Sequence, residues 1–218
     1  MPKYKRVSRL PDGQVDPECQ VARDLAEAIQ VAHDPSKCPD REAAIVALLP
    51  VLLGSRWVEA FIPLAWPDEG FAEMADYHVE AWGWWCGIEA GVSPPALVAC
   101  WPRGGGKSSF VQIGFALTCL ARLRNYCMWI GAKVDEMEEK VSGVGALLAS
   151  PRVRAAFPEE TAPHTDPMSG VKVDWRKGTI ATATRFALQA GGIDQALRGK
   201  LRFTDRPGVI ILDDIEDE

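Results

Sequence analysis

Three glycines followed by a lysine and two serines give the clearest chemical signal in this sequence. Glycine lets the backbone approach phosphate oxygens with its N–H groups turned inward, and a helix that starts directly afterwards adds its positive N-terminal end. In such a loop Lys107 reaches the β- and γ-phosphates, and Ser108 holds Mg²⁺. The sequence therefore predicts a nucleotide-phosphate site formed by Gly104, Gly105, Gly106, Lys107, Ser108 and Ser109.

The flanking segments decide between this interpretation and an ordinary glycine-rich surface turn. The full phosphate-loop pattern has a glycine five positions before Gly106, and this chain has Trp101 there. The run Ala96–Trp101 nevertheless suits a buried strand, and Ser109–Leu123 keeps one apolar side with helical spacing. A strand, a glycine loop and a helix in this order favour the phosphate site.

A second group of candidate residues follows the aliphatic run Val209–Leu212. Such a run is typical of a strand buried on both faces of a parallel sheet, and ligands bind at the carboxyl ends of such strands. Asp213 is predicted to support Mg²⁺, and Asp214 lies where P-loop ATPases often polarise the attacking water. The alternative is a solvated acidic tail, which fits the last three residues well but the aliphatic run poorly.

Two further segments are candidates for contact with a nucleotide. Arg198 precedes a glycine in a basic loop that leads into the acidic strand, so its guanidinium could neutralise charge on a γ-phosphate, in its own site or a neighbour's. The alternative for this loop is a solvated basic turn. Tyr77 and His78 could touch adenine, although a lone histidine is more often half-buried and structural.

Composition narrows the classes of protein. The chain has 218 residues, 47% of them hydrophobic, and a net charge of −6, so it can bury a core but has no overall basic surface for tight DNA binding. The six cysteines form no Cys-x-x-Cys pair, which argues against zinc and for reduced thiols. The longest aliphatic run, Ala43–Leu53, contains Pro50 and is too short to span a bilayer. We expect a soluble intracellular protein without a signal peptide.

Hydrophobic spacing and turn residues predict the order of elements. Helices starting at Asp16 and Asp40 form an N-terminal appendage, and Trp57–Pro67 links it onward. An aromatic helix is predicted at Phe71–Glu89, with Trp82 and Trp85 in the core. Strands are predicted at Ala96–Trp101 and Tyr126–Ile130, another helix at Val134–Leu148, and a hairpin formed by Val171–Trp175 and Thr179–Thr184. The alternation of strands and helices indicates an α/β fold with a parallel-type sheet and helices on both faces.

In this order the segments resemble the ATPase part of the large terminase subunit of tailed bacteriophages, the motor that packages DNA into procapsids. The resemblance covers about residues 70–218 and is specific only as an ordered set. The matching segments are Tyr77-His78-Val79-Glu80, Pro102–Ser109, Trp129–Lys133, Ala196–Gly199, and Arg206-Pro207 leading to Ile211–Glu218. It implies a P-loop NTPase of the additional-strand, RecA-like class, with residues 1–67 as helical appendage and 68–218 as ATPase domain.

The resemblance also implies roles for single residues. Lys107 and Ser108 would bind ATP and Mg²⁺, and Arg103 would sense the γ-phosphate, since this family often carries an arginine inside a deviant phosphate loop. Arg198 would be the finger offered to the adjacent subunit's ATP. The acid after the metal aspartate is usually glutamate in this family. Asp214 has a shorter side chain with which to activate water, and Glu216 is the second candidate for this role.

The implied partners are double-stranded DNA in transient contact, a homo-oligomeric ring, the portal protein and the small terminase subunit, all in the host cytoplasm and without a membrane. The family continues with further sheet strands and a nuclease domain, whereas this sequence ends four residues after Asp214. We therefore expect an incomplete sheet and no nuclease activity; either the sequence is cut short or a second polypeptide supplies the missing strands.

Two other functions remain open from the sequence. The first is a nucleotide-binding or assembly module that needs a second polypeptide for turnover. The second is another P-loop ATPase such as a helicase, although no helicase motif set follows the phosphate loop.

Overall fold

The computed structural model describes residues 24, 27–31, 34, 40–67, 74–88, 94–165, 175–194, 202 and 204–215. Of the helix predicted to start at Asp16, residues 24 and 27–31 are described and are helical. The second predicted helix is confirmed as α1, Arg41–Gly54, and the Asp40 carboxylate caps it by accepting from the Ala43 N–H at 3.2 Å.

The segment Trp57–Pro67, predicted to link the appendage to the rest of the chain, is helical for most of its length. Helix α2 spans Val58–Ala65 and contains Pro63. Pro63 is the sixth residue of the helix, and its lost hydrogen bond is tolerated because the helix buries Phe61, Ile62 and Leu64 in the core. The Arg152 guanidinium then ties these helices together, since it pairs with Glu42 of α1 at 2.6 Å and donates to the Leu64 carbonyl at 2.9 Å.

The aromatic helix is confirmed over a shorter range as α3, Asp76–Cys86. Trp82 and Trp85 are buried in the core, as their spacing predicts. Helix α4, Lys107–Leu120, follows the glycine loop and buries nearly all of its second half. Within the described residues no helix is long and apolar enough to cross a membrane.

Strand β1, Tyr126–Gly131, and helix α5, Val134–Leu148, lie where the sequence predicts them. Helix α5 carries Asp135 and Glu136 in its first turn, where their negative charge interacts favourably with the positive end of the helix dipole. The helix buries a stripe that includes Met137, Val141 and Val144. Two short helices follow, α6 at Pro151–Ala156 and α7 at Pro158–Thr161.

The chain is an α/β protein with a four-stranded mixed sheet. Strands β2, β3 and β4 span Thr179–Ala181, Ala187–Gly192 and Val209–Leu212, and the order in the sheet is β2-β3-β1-β4. Strands β3 and β4 both run parallel to β1, whereas β2 runs antiparallel to β3. The carboxyl ends of β3, β1 and β4 therefore meet at one edge, as the parallel-sheet prediction requires.

The two faces of this sheet have different surroundings. Cys127 and Trp129 of β1, with Leu188 and Ala190 of β3, join the main core with the helices. Burial raises the pKa of the Cys127 thiol far above its usual range, as it does for Cys119 of α4, so both behave as apolar core residues. The opposite face carries a separate small cluster formed by Tyr126, Met128, Ile130 and Ala187.

The predicted strand Ala96–Trp101 is wrong. Residues 94–100 form no strand, and Val98 is 82% exposed. The sequence pattern identified an apolar run correctly, but periodicity cannot say whether a partner strand is available. Both sides of β1 are occupied by β3 and β4, so this segment cannot enter beside the central strand.

The predicted hairpin of Val171–Trp175 with Thr179–Thr184 lies only partly within the described residues, so it stays a prediction. Thr179 makes a single bridge to Arg176, while β2 pairs with β3 over Thr179–Ala181 and Ala187–Gln189. Residues 171–174 lie outside the described part of the chain. The sequence missed β3, Ala-Leu-Gln-Ala-Gly-Gly, because alanine and glycine are poor strand formers and only burial beside β1 selects them.

Strand β4 is confirmed, but its expected burial on both faces is wrong. Its position at the sheet edge leaves Ile210 and Leu212 exposed by 48% and 56%, while Val209 and Ile211 pack against the core. This alternation places Asp213, the next residue along, on the same side as Ile211 and the helices.

Two tryptophans pack against helix α4. The Trp85 ring lies directly on Gly114, where a Cβ would come within 2.5 Å of the ring, and Phe115 packs against Trp129 with ring centroids 5.6 Å apart. The close approach of Trp85 is possible only because residue 114 has no side chain. This contact sets how near α4, and the glycine loop before it, lies to the rest of the core.

We predict that Gly114→Ala destabilises the protein by about 1–3 kcal/mol despite the higher helix propensity of alanine, because the new methyl group overlaps the Trp85 ring. Urea unfolding followed by circular dichroism measures this change. Gly54→Ala is the matched control, since a Cβ added at Gly54 would meet no atom within 4 Å, and it should leave stability unchanged or raise it slightly. Equal stability of the two variants would contradict the close packing of Trp85 on α4.

Candidate functional site

The glycine loop turns sharply before α4. The Gly105 N–H donates to the Pro102 carbonyl at 2.9 Å, and Gly104 and Gly106 adopt φ values of +78° and +76°. These left-handed conformations are open to glycine and strained for other residues, so the two glycines are required by the path of the backbone. Helix α4 begins at Lys107, directly after the second of them.

The N-terminus of α4 is open. No side chain caps it, and its first turn holds no acidic residue. The first internal helix bond runs from the Phe110 N–H to the Gly106 carbonyl at 2.8 Å, which leaves the N–H groups of Lys107, Ser108 and Ser109 without an intrahelical partner. Together with the helix dipole, these groups form a place where an anion is stabilised. The six predicted phosphate-binding residues thus form the turn before α4 and the first residues of that helix.

His78 connects α3 to this loop. Its Nδ1 accepts from the Ala75 N–H at 3.1 Å, so the proton of the neutral ring is on Nε2. The Nε2–H then donates to the Gly105 carbonyl at 2.9 Å. His78 therefore caps its own helix and holds the glycine loop with the same ring.

Trp101 and Tyr77 extend this contact. The Trp101 ring lies 5.0 Å from the His78 ring, 5.1 Å from Tyr77 and 5.1 Å from Phe110. Trp101 therefore anchors the start of the loop in an aromatic cluster, at the position where the phosphate-loop pattern has glycine. The structure brings both predicted adenine contacts, Tyr77 and His78, beside the loop; contact with a base stays a prediction.

The acidic strand end forms the second part of the site. Oδ2 of Asp213 accepts from Lys140 Nζ of α5 at 2.8 Å and from Trp129 Nε1 at 3.3 Å. The Lys140 ammonium also lies over the Trp129 ring, 5.7 Å from its centroid. Only 14% of the Asp213 side chain is exposed, so this carboxylate requires the positive charge that Lys140 supplies.

Asp214 has a different environment. It is exposed and adopts φ +45°, so the chain turns there, and its carbonyl accepts from the Ala132 N–H at 3.1 Å. Its backbone therefore ties the end of β4 to the loop after β1. The predicted role in activating water stays a prediction.

The two parts of the site meet through Lys140. Gln112, one helical turn after Ser108, donates from Nε2 to the Lys140 carbonyl at 3.0 Å, and the Lys140 ammonium holds Asp213. Within the described part of the chain, no direct contact joins Lys107 to Asp213. Helix α5 connects the two parts of the site through Lys140. The expected single magnesium site joining them thus stays a prediction.

Lys140 was not predicted from the sequence, although a signal was present. Lys140 follows Met137 by three residues and precedes Val144 by four, which places it on the buried stripe of α5. A lysine on such a stripe requires a carboxylate partner. Trp129 and Gln112 were also missed, and their patterns gave no comparable signal.

The described residues contain no group of three or more histidine, cysteine, aspartate or glutamate side chains that could hold a metal ion. Mg²⁺ at nucleotide sites uses one or two carboxylates and completes its shell with water and phosphate oxygens. Oδ1 of Asp213 has no partner among the described side chains. The donor set therefore fits a divalent ion that takes Asp213 as its carboxylate and fills its remaining positions with water or, at a nucleotide site, with phosphate oxygens.

Three predicted site residues add little to this geometry. Arg103 is exposed at the start of the glycine loop. Arg198 and Glu216 lie outside the described residues.

Comparison with known protein families, with curated proteins and with solved structures finds no match. The function of this chain is therefore inferred from the site itself.

We predict that His78→Ala increases hydrogen exchange of the Gly105 N–H, which is bonded to the Pro102 carbonyl, by about fivefold, because the loop loses a hydrogen bond with a net contribution of about 1 kcal/mol. Exchange followed by mass spectrometry measures this change. His164→Ala removes a histidine outside the loop and should leave exchange there unchanged. If His78→Ala exchanges at the wild-type rate, His78 does not hold the loop.

Proposed function

We propose that this chain is the ATPase domain of a viral DNA-packaging motor, similar to the large terminase subunit, which binds Mg²⁺-ATP and hydrolyses it to move double-stranded DNA. One observation supports nucleotide binding above all others. Two left-handed glycines lead into an open helix N-terminus that carries Lys107 and Ser108. The resemblance of the ordered motifs supports the more specific assignment to a packaging motor.

In this proposal the α4 N-terminus binds the phosphates. Its free N–H groups and Lys107 neutralise the charge of the β- and γ-phosphates, while His78 keeps the loop in its turned conformation. Ser108 and Asp213 would hold Mg²⁺, which when bound shields phosphate charge and orients the γ-phosphoryl group. Arg103, exposed at the loop, is free to reach the γ-phosphate.

Attack on the γ-phosphate requires an oriented water molecule. Asp214 is the first candidate for this role and Glu216 the second, and Arg198 is the candidate for stabilising the transition state in its own site or in a neighbouring subunit's. ATP, Mg²⁺, DNA, a homo-oligomeric ring, the portal protein and the small subunit are all part of this proposal.

Three observations favour a second candidate, a nucleotide-binding module that requires another polypeptide for turnover. Strand β4 exposes Ile210 and Leu212 on one face. The apolar segment around Val98 is also exposed. Lys140 holds Oδ2 of Asp213, so a metal ion has to compete for this carboxylate. An isolated chain in this conformation would bind triphosphate without turnover.

We predict that Lys107→Ala lowers ATP turnover by at least about tenfold and weakens binding of a fluorescent ATP analogue, because the principal cation for the β- and γ-phosphates is lost. Steady-state phosphate release and fluorescence titration measure the two effects. Lys177→Ala is the control, since Lys177 is exposed and pairs with Glu138 at 3.6 Å.

The two readouts separate the candidates. Binding and turnover that both depend on Lys107 support the motor ATPase, whereas Lys107-dependent binding with no turnover supports the binding module. Wild-type binding by Lys107→Ala would remove the glycine loop from any nucleotide site.

A further inference from the structure

Lys140 and Asp213 form a charge pair at the edge of the sheet. Their side chains are 20% and 14% exposed, and Nζ and Oδ2 lie 2.8 Å apart. Removing charges from water is costly, and each ion in such a position depends on the other for compensation. Asp213 therefore needs a cation at this place, whatever supplies it.

The cation that neutralises Asp213 can be exchanged without movement of the backbone. Gln112 holds the Lys140 carbonyl, and the surrounding turns of α5 are packed in the core, so the backbone position does not depend on Asp213. The ammonium contacts Asp213 and the Trp129 ring, at the end of a flexible four-carbon stem. Movement of one side chain would open the carboxylate.

The carboxylate also has an oxygen at which a divalent ion can first bind before it displaces the ammonium. Lys140 and Trp129 both donate to Oδ2, while Oδ1 has no partner among the described side chains. A carboxylate oxygen at the carboxyl end of a parallel strand is a suitable ligand for a hard divalent ion.

We propose that Lys140 is the resident counter-ion of Asp213 and competes with a divalent cation for this carboxylate. The inference rests on the proposed function in that it assigns Asp213 to the magnesium site of that function. It adds a residue that neither the phosphate-loop motif nor the acidic strand contains. In the absence of divalent ions Lys140 keeps the strand end neutral; when the ion binds, the ammonium is displaced.

The test is the thermal stability of Lys140→Met without nucleotide, with and without Mn²⁺. Loss of the ammonium leaves a mostly buried carboxylate uncompensated, so we expect the Tm to fall by about 3–6 °C in a chelator. About 10 mM Mn²⁺ should then raise the Tm of this variant by roughly 3 °C or more, and the wild-type Tm by clearly less. Lys177→Met, which removes an exposed lysine, should respond to Mn²⁺ as the wild type does.

A double variant locates the ion. Lys140→Met combined with Asp213→Asn should lose the additional response to Mn²⁺. If the double variant keeps that response, or if Lys140→Met gains none, the proposal is overturned. Should Lys140→Met fail to fold even with Mn²⁺, Lys140→Gln, which is neutral but can still donate to Asp213, is judged by the same two criteria.

These melts contain no nucleotide, so they are independent of the ATPase assay. A Mn²⁺ response that needs Asp213, together with no ATP binding, would refute the proposed function and leave the ion exchange intact. ATP binding that needs Lys107, with no added Mn²⁺ response, would refute the exchange alone.

Discussion

The position of α4 in the core is the constraint on which the candidate site depends. Its second half is buried in contact with Trp85 and Trp129, and the Trp85 contact requires glycine at residue 114. A buried helix of 14 residues cannot shift without disturbing several rings. Its N-terminus and the glycine loop are therefore presented at a fixed place on the surface, where an anion gains from open N–H groups.

The charge at the sheet edge follows from the same packing. Trp129 contacts Phe115 of α4 through its ring and Asp213 through its N–H, so the residue that positions the helix also positions the acidic strand end. Lys140 then neutralises that carboxylate from α5, and its backbone is held by Gln112 of α4. Helix α4, strand β1 and helix α5, which follow one another in the chain, thus converge with the distant strand β4 near one carboxylate, and this arrangement gives a physical reason for placing ligand chemistry here.

Local signals predicted a large part of this fold. Helix α5 lies where its apolar spacing places it, Asp40 caps α1, and the glycine loop leads directly into α4. The errors concern which strands pair with each other. The run Ala96–Trp101 has strand character but no described partner strand, and β3 has weak strand propensity yet pairs along the full length of β1. Pairing depends on residues far apart in the chain, which single-sequence periodicity does not report. For the site, the sequence identified the loop and Asp213 but not Lys140, because the partner of a buried lysine becomes known only when the elements are assembled.

The central claim is that the open end of α4 and the Asp213 carboxylate serve one bound Mg²⁺-triphosphate. Crystals grown with Mn²⁺ and a non-hydrolysable ATP analogue test it most directly, because the anomalous signal locates the ion without ambiguity. The account predicts triphosphate density along residues 104–109, with the manganese peak between the phosphates and Asp213 and the Lys140 ammonium moved away from the carboxylate. A triphosphate bound elsewhere, or a manganese ion far from Asp213, would contradict it.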